Sequence, residues 1–185
     1  MADMSVALSH WSRPRLTIAN RHKEDDFAYA LHGAQSAAYA LKYIDEKPSV
    51  LAEKTLLDYG CGTGRISRVF ASHFKSVVGY DPSAECIDEA GKECPGITIK
   101  NAKFTNSVPT ERFDYAVSIN VIEHLAFDDA KAAINNMRAV ANKCVIWYHT
   151  GRNAELLVPM MTDAQKRAHN ECVQSGKRIN IVVIQ

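Results

Sequence analysis

The sequence predicts an α/β fold, a mostly parallel sheet with helices on both faces. Three observations carry this expectation. Short apolar runs rich in β-branched and aromatic residues recur along the chain. Amphipathic stretches of about ten residues or more separate them, long enough for the crossovers that parallel strands require. A glycine-rich turn follows the first run directly, where such folds bind ligands beyond the carboxyl ends of their strands.

Each element follows from local pattern. Residues 25–44 carry Phe27, Leu31, Ala34, Ala38 and Leu41 at spacings of three and four, which predicts a helix burying that face. Pro48 marks a connection, and residues 55–59 form a strand that ends in glycines. The next helix spans 65–74, with Ile66, Val69 and Phe70 on one side. Residues 76–80 form a second strand, closed by Asp81-Pro82-Ser83, whose proline and serine suit the start of a helix over 84–93. Pro95-Gly96 ends that helix, and a short third run covers 97–100. A strand at 113–119, a helix at 128–141 and a strand at 144–148 follow. Thr162 and Gln165 have the spacing of a capping box for a last helix reaching about residue 175. Gly176 stops it, and 179–184 is the terminal strand.

At 185 residues the chain has the size of one domain, read as an N-terminal arm and helical cap over 1–50 and a core over 51–185. No apolar run approaches the roughly 20 residues that cross a bilayer. Met1 to His10 lack the basic start and apolar stretch of a secretory signal, so a soluble, cytoplasmic protein with no membrane partner is expected. The five cysteines are scattered, with no Cys-x-x-Cys pair for zinc or redox exchange. A net charge of +1 gives no general attraction to nucleic acid, although Arg13, Arg15, Arg21, His22 and Lys23 form a local basic cluster.

Gly60, Gly62 and Gly64 stand at alternate positions, where glycine permits positive φ and close approach of a ligand. The dinucleotide fingerprint would place its third glycine at position 65, which is arginine here. Asp58, two residues before the first glycine, would repel a pyrophosphate and attract an amino group. Asp81 lies 21 residues after Gly60 at the end of the next strand, where a carboxylate accepts from ribose hydroxyls. One acid for an ammonium and one for a ribose fit the two halves of S-adenosylmethionine.

Leu57 to Arg65, with its Asp58-Tyr59-Gly60-Cys61-Gly62-Thr63-Gly64 core, resembles the first motif of the class I S-adenosylmethionine-dependent methyltransferases. Val78-Gly79-Tyr80-Asp81-Pro82-Ser83 is similar to their second, and Phe113 to Val117 with Val121-Ile122-Glu123-His124-Leu125 to their fourth. The resemblance runs from about Lys54 to His149 and implies a Rossmann-like fold and methyl transfer to an oxygen, nitrogen or carbon nucleophile of a small molecule. It implies that Gly60, Cys61 and Gly62 line the methionine end of S-adenosylmethionine, with Asp58 near its amino group and Asp81 on the ribose; Gly64 and Pro82 are further expected cofactor-binding residues. Asn101, in the stretch matching the third motif, and Asn120, after the fourth strand, complete the expected cofactor contacts.

A sulfonium methyl is already activated, so the protein's main work is to align a nucleophile and exclude water. His124 and His149, both just past strand ends, are the candidate catalytic bases. Some relatives bind a metal through Glu-x-x-Glu-His, but Asn120 stands at the first of those positions and no metal is expected. Glu123 either faces the cofactor loop or caps the following helix. By likeness, the helix with Tyr29, His32 and Gln35 folds over the cofactor. The family's sheet commonly closes with a hairpin, of which only 179–184 is readable; this predicts a shortened substrate lid that a second subunit completes or a substrate that needs little enclosure. Two other functions stay open: methylation of RNA or protein through the basic arm, and a non-catalytic S-adenosylmethionine-binding partner subunit. The segments that would choose the acceptor, the N-terminus and 150–161, match nothing specific.

Overall fold

Thr55–Tyr59 (β1) runs along the middle of a six-stranded sheet in the computed structural model, which describes residues 25–92, 101–149, 153–176 and 179–184. The other strands are Ser76–Tyr80 (β2), Ala102–Thr105 (β3), Phe113–Ile119 (β4), Ala141–His149 (β5) and Ile179–Ile184 (β6), in the spatial order β3-β2-β1-β4-β5-β6. The pairs β1–β2, β2–β3, β1–β4 and β4–β5 are parallel, and β5–β6 is antiparallel. The mostly parallel sheet is therefore borne out. Its strand order reverses between β1 and β4, and the crevice at their carboxyl ends is where such sheets bind ligands.

Alternation along the strands feeds two apolar layers, because neighbouring side chains point to opposite faces. Leu56, Val77, Tyr115, Val117 and Val145 enter one, with Phe70 and Phe74 from the region of Arg65–Phe70 (α3) and Ala37, Ala40 and Ile44 from Asp26–Ile44 (α1). Leu57, Ala116, Cys144, Ile146 and Tyr148 enter the other, with Ile134 and Met137 of Phe127–Val140 (α5) and Leu157. Helices thus cover both faces. Pro48–Leu51 (α2) and Ala84–Ala90 (α4) complete the first half, and Asp163–Gln174 (α6) packs near the last strands, where Gln165 Nε2 donates to the Val183 carbonyl. Both caps expected from sequence are present: Ser83 Oγ accepts from Cys86 N, and Thr162 with Gln165 forms the reciprocal capping box.

The buried face of α1 departs from expectation. Tyr29, Gly33, Ala37, Ala40 and Ile44 face the protein, whereas Phe27 is 76% exposed and Leu31, Ala34 and Ala38 also face outward; Leu41 is half-buried. Two or three positions separate the expected and observed faces, a rotation of roughly 120° about the helix axis at 3.6 residues per turn. The reason is steric. A Cβ at Gly33 would stand 2.7 Å from the Arg65 carbonyl oxygen, so the small-residue face lets α1 approach the start of α3 where a Phe/Leu face would hold it away. The helices at 65–70 and 84–90 are shorter than expected, the former continuing as turns to Phe74. The cluster Arg13, Arg15, Arg21, His22 and Lys23 and the run 97–100 lie outside the described residues. No helix among those described is long and apolar enough to cross a membrane.

Candidate active site

Asp58, next to last in β1, has 2% of its surface exposed, and its Oδ2 accepts from Ser67 Oγ at 2.5 Å, in the first turn of α3. Burial pushes its carboxyl up to about 6; the Ser67 hydroxyl opposes that rise, and the nearby negative charge of Asp81 adds to it. Asp81, after β2, is also buried. Its Oδ2 accepts from Gly62 N and its Oδ1 from Ser83 N, both at 3.0 Å. Burial raises its pKa and those two amides oppose the rise. Both carboxylates retain acceptor capacity beyond these bonds. Among the described residues, neither acid has a cationic partner.

The glycine loop connects the two acids. Gly60 N and Cys61 N donate to the Tyr80 carbonyl at 2.7 and 2.9 Å, Gly62 N to Asp81, and Gly64 N to the Cys61 carbonyl at 3.0 Å. Gly60, Gly62 and Gly64 have φ of 83°, 54° and 77°. A Cβ on Gly60 would lie 2.5 Å from Val121 Cγ2, so the loop seats directly against the segment after β4. Four of its amides point inward, which leaves the loop poorly equipped for the amide cradle that a pyrophosphate demands. Tyr29 of α1 fixes the far side, its hydroxyl donating to the Thr63 carbonyl at 2.7 Å. The Cys61 thiol donates to the Gly62 carbonyl and packs over Gly79, and burial pushes its pKa well up, so it is a neutral filler. Pro82 stands half-buried between Asp81 and the capping Ser83.

The expectation for Asn101 needs correction. β3 begins at Ala102, which pairs with Val77, and Asn101 contributes its carbonyl to Val77 N at 2.8 Å. That is the amino end of the sheet. With about 3.3 Å per residue, Asn101 lies roughly 13 Å along the strand from Thr105, the residue that pairs with Tyr80 next to Asp81. The parallel register thus puts Asn106 and Ser107, not Asn101, at the ligand edge.

Past β4, Asn120 takes φ 55° and donates its amide to the Trp147 carbonyl at 3.0 Å. Ile122–His124 is a 3-10 turn in which His124 is exposed and Glu123 is buried. Glu123 does not cap α5, whose cap residue is Ala126 with no side-chain bond. Instead its Oε1 lies 3.5 Å from His149 Nε2, and neither of its oxygens receives a hydrogen bond. Asn153, left-handed and buried, donates Nδ2 to the Ile122 and Leu125 carbonyls at 2.8 and 2.9 Å and so fixes this turn. Neither Ser67 nor Asn153 is singled out by the sequence. A serine one turn into the helix after the loop is a usable signal for Ser67; for Asn153 no spacing gives one.

The methyltransferase-domain family model matches residues 8–176. The chain belongs to the methyltransferase-domain family. This methyltransferase domain is 31% identical over 90 residues to an uncharacterised methyltransferase of Oceanobacillus iheyensis, covering 48% of this chain and 42% of that one. It is 28% identical over 131 residues to the ubiquinone biosynthesis O-methyltransferase of Actinobacillus pleuropneumoniae, covering 65% and 55%. The domain thus spans about half the length of these curated relatives. In fold it is similar to the magnesium protoporphyrin IX methyltransferase of Synechocystis, a structure with bound S-adenosylmethionine, with a TM-score of 0.58 at 14% identity over 97% of this chain and 90% of that one. The Rossmann-like fold and the family resemblance are both borne out. Along one edge of the sheet the methyltransferase domain gathers Asp58, Gly60, Cys61, Gly62, Gly64, Asp81, Pro82, Asn120, Glu123, His124 and His149.

Proposed function

We propose that this chain binds S-adenosylmethionine at the Asp58–Gly64 loop and transfers the methyl group to an oxygen, nitrogen or carbon nucleophile of a small molecule. The observation that carries this reading is the pair of buried acids joined by a loop whose amides turn inward. Such a donor set suits a cation and a diol and suits a phosphate poorly. Asp58 would hold the cofactor's ammonium and Asp81 the ribose hydroxyls, while Gly60, lacking a Cβ, lets the loop pack directly on Val121. When bound, S-adenosylmethionine supplies an electrophilic sulfonium methyl. The chain's own part is to orient the acceptor, exclude water and, through His124 or His149, receive a proton. We read residues 1–185 as one domain. The names of the ubiquinone and magnesium protoporphyrin methyltransferases support a small-molecule acceptor.

Titration calorimetry with S-adenosylmethionine, its demethylated product and NADH tests the cofactor. Binding of both sulfur compounds is expected; NADH binding without either overturns the reading. Labelled methyl transfer into a size-fractionated cell extract tests the acceptor. Label in the small-molecule fraction is expected, label confined to RNA or protein moves the acceptor to a macromolecule, and a chain that binds cofactor but labels nothing is a binding subunit.

A further inference from the structure

Glu123 is the buried acid that the cofactor reading leaves without work. It is 8% exposed and both of its oxygens lack a hydrogen bond, whereas buried polar groups are nearly always paired. Among the described residues it forms one ion pair, with His149, whose Nε2 stands 3.5 Å from Oε1 and whose side chain is 41% exposed against 7% for Glu123. An approaching molecule therefore meets the imidazole, with the carboxylate behind it. Among the described residues no donor or acceptor reaches the other ring nitrogen, Nδ1.

Several elements converge to hold this pair. The β4–β5 register, extended by the bond from Asn120 N to the Trp147 carbonyl, brings the turn after β4 alongside His149 at the end of β5. Asn153 fixes the turn from the opposite side through the Ile122 and Leu125 carbonyls. Val121, two residues before Glu123, is the side chain that Gly60 abuts, so the turn that carries Glu123 packs against the glycine loop.

We infer that Glu123 and His149 form an acid–base pair for a hydroxyl acceptor: His149 is the catalytic base through Nδ1, and Glu123 is a positioning residue that accepts from Nε2–H. The inference rests on the methyl-transfer reading and deepens it. Orientation of an imidazole by a carboxylate fixes which nitrogen carries the lone pair and stabilises the imidazolium that forms. A separation longer than a hydrogen bond is common in such pairs before substrate is seated. The acceptor's O–H proton passes to Nδ1, and the oxygen's electron pair forms the new O–CH3 bond as the C–S pair returns to sulfur. The imidazolium then gives its proton to solvent.

Labelled methyl transfer to the small-molecule fraction of cell extract is compared for wild type, His149→Ala, Glu123→Gln and the double variant, with S-adenosylmethionine affinity and thermal melting measured on each. His149→Ala is expected to lose about 100-fold in rate and to recover part of it with added imidazole, which a structural histidine would not do. Glu123→Gln is expected to lose about tenfold, and the double variant no more than His149→Ala alone. Cofactor affinity should stay within about twofold of wild type in all three. His149→Gln keeps a polar side chain of similar length and replaces His149→Ala if that variant melts early. Unchanged rates in the variants overturn the pair and leave methyl transfer standing; weakened cofactor binding in Glu123→Gln assigns that acid to the cofactor and overturns it likewise. A wild-type protein that binds S-adenosylmethionine and labels no small molecule defeats the small-acceptor reading and the pair with it.

Discussion

Asp58 titrates near 3.8 when unfolded and at about 6 in the fold, so between those values the folded protein holds a proton that the unfolded chain has released. Its contribution to stability is therefore fullest below about pH 4, declines as pH rises toward 6, and stays at its low level above. The whole decline amounts to about 3 kcal/mol at most. Asp58→Asn is expected to flatten that decline, gaining about 1–3 kcal/mol over wild type at pH 7 and about a third of that at pH 4.5, as urea unfolding at the two pH values would show. The same titration predicts that S-adenosylmethionine affinity falls about tenfold per pH unit below 6, because a neutral Asp58 no longer attracts an ammonium; a flat calorimetric profile from pH 7 to 5 would remove Asp58 from the cofactor site. Asp81→Ala should weaken cofactor binding by about 1–3 kcal/mol in a protein that still melts cooperatively. These two acids are legible in sequence because each is tied to a strand end by local spacing. Glu123 and His149 are not legible as a pair: 26 positions separate them, and only the β4–β5 register joins them.

Elements are readable where their signals are local. Thr162 and Gln165 announce α6, and Thr162→Ala is expected to cost about 1 kcal/mol, visible as a melting point lowered by a few degrees. Ser83 announces α4 in the same way. The face of α1 is not readable, since residues 27, 31, 34, 38 and 41 and residues 29, 33, 37, 40 and 44 share one period, and only the approach to Arg65 chooses between them. The third strand is obscure for a related reason. Its register is set by pairing with β2, and a short run carries no mark of which residue faces Tyr80. The loop itself permits a sharper test: Gly60→Ala meets both a left-handed φ and a contact at 2.5 Å with Val121, so a loss above about 1–2 kcal/mol in unfolding free energy is expected, together with loss of cofactor binding.

At the scale of the molecule, the reversal of strand order between β1 and β4 puts the crevice where alternating strands and helices alone would place it, independently of any motif. The antiparallel β6 widens the far side of the sheet, and its first residue, Ile179, pairs with His149 at the ligand edge. One contact ties the ligand edge to the opposite end of the sequence described. Tyr29 reaches Thr63 across 34 positions, so the bond closes a large chain loop that must lose its freedom before the contact can form. The shape and mobility of the glycine turn are therefore coupled to the docking of α1. Tyr29→Phe, which deletes one hydroxyl, should speed amide exchange at Thr63 and Gly64 while leaving the sheet's slow amides unchanged; equal protection in both proteins would show that the turn holds itself.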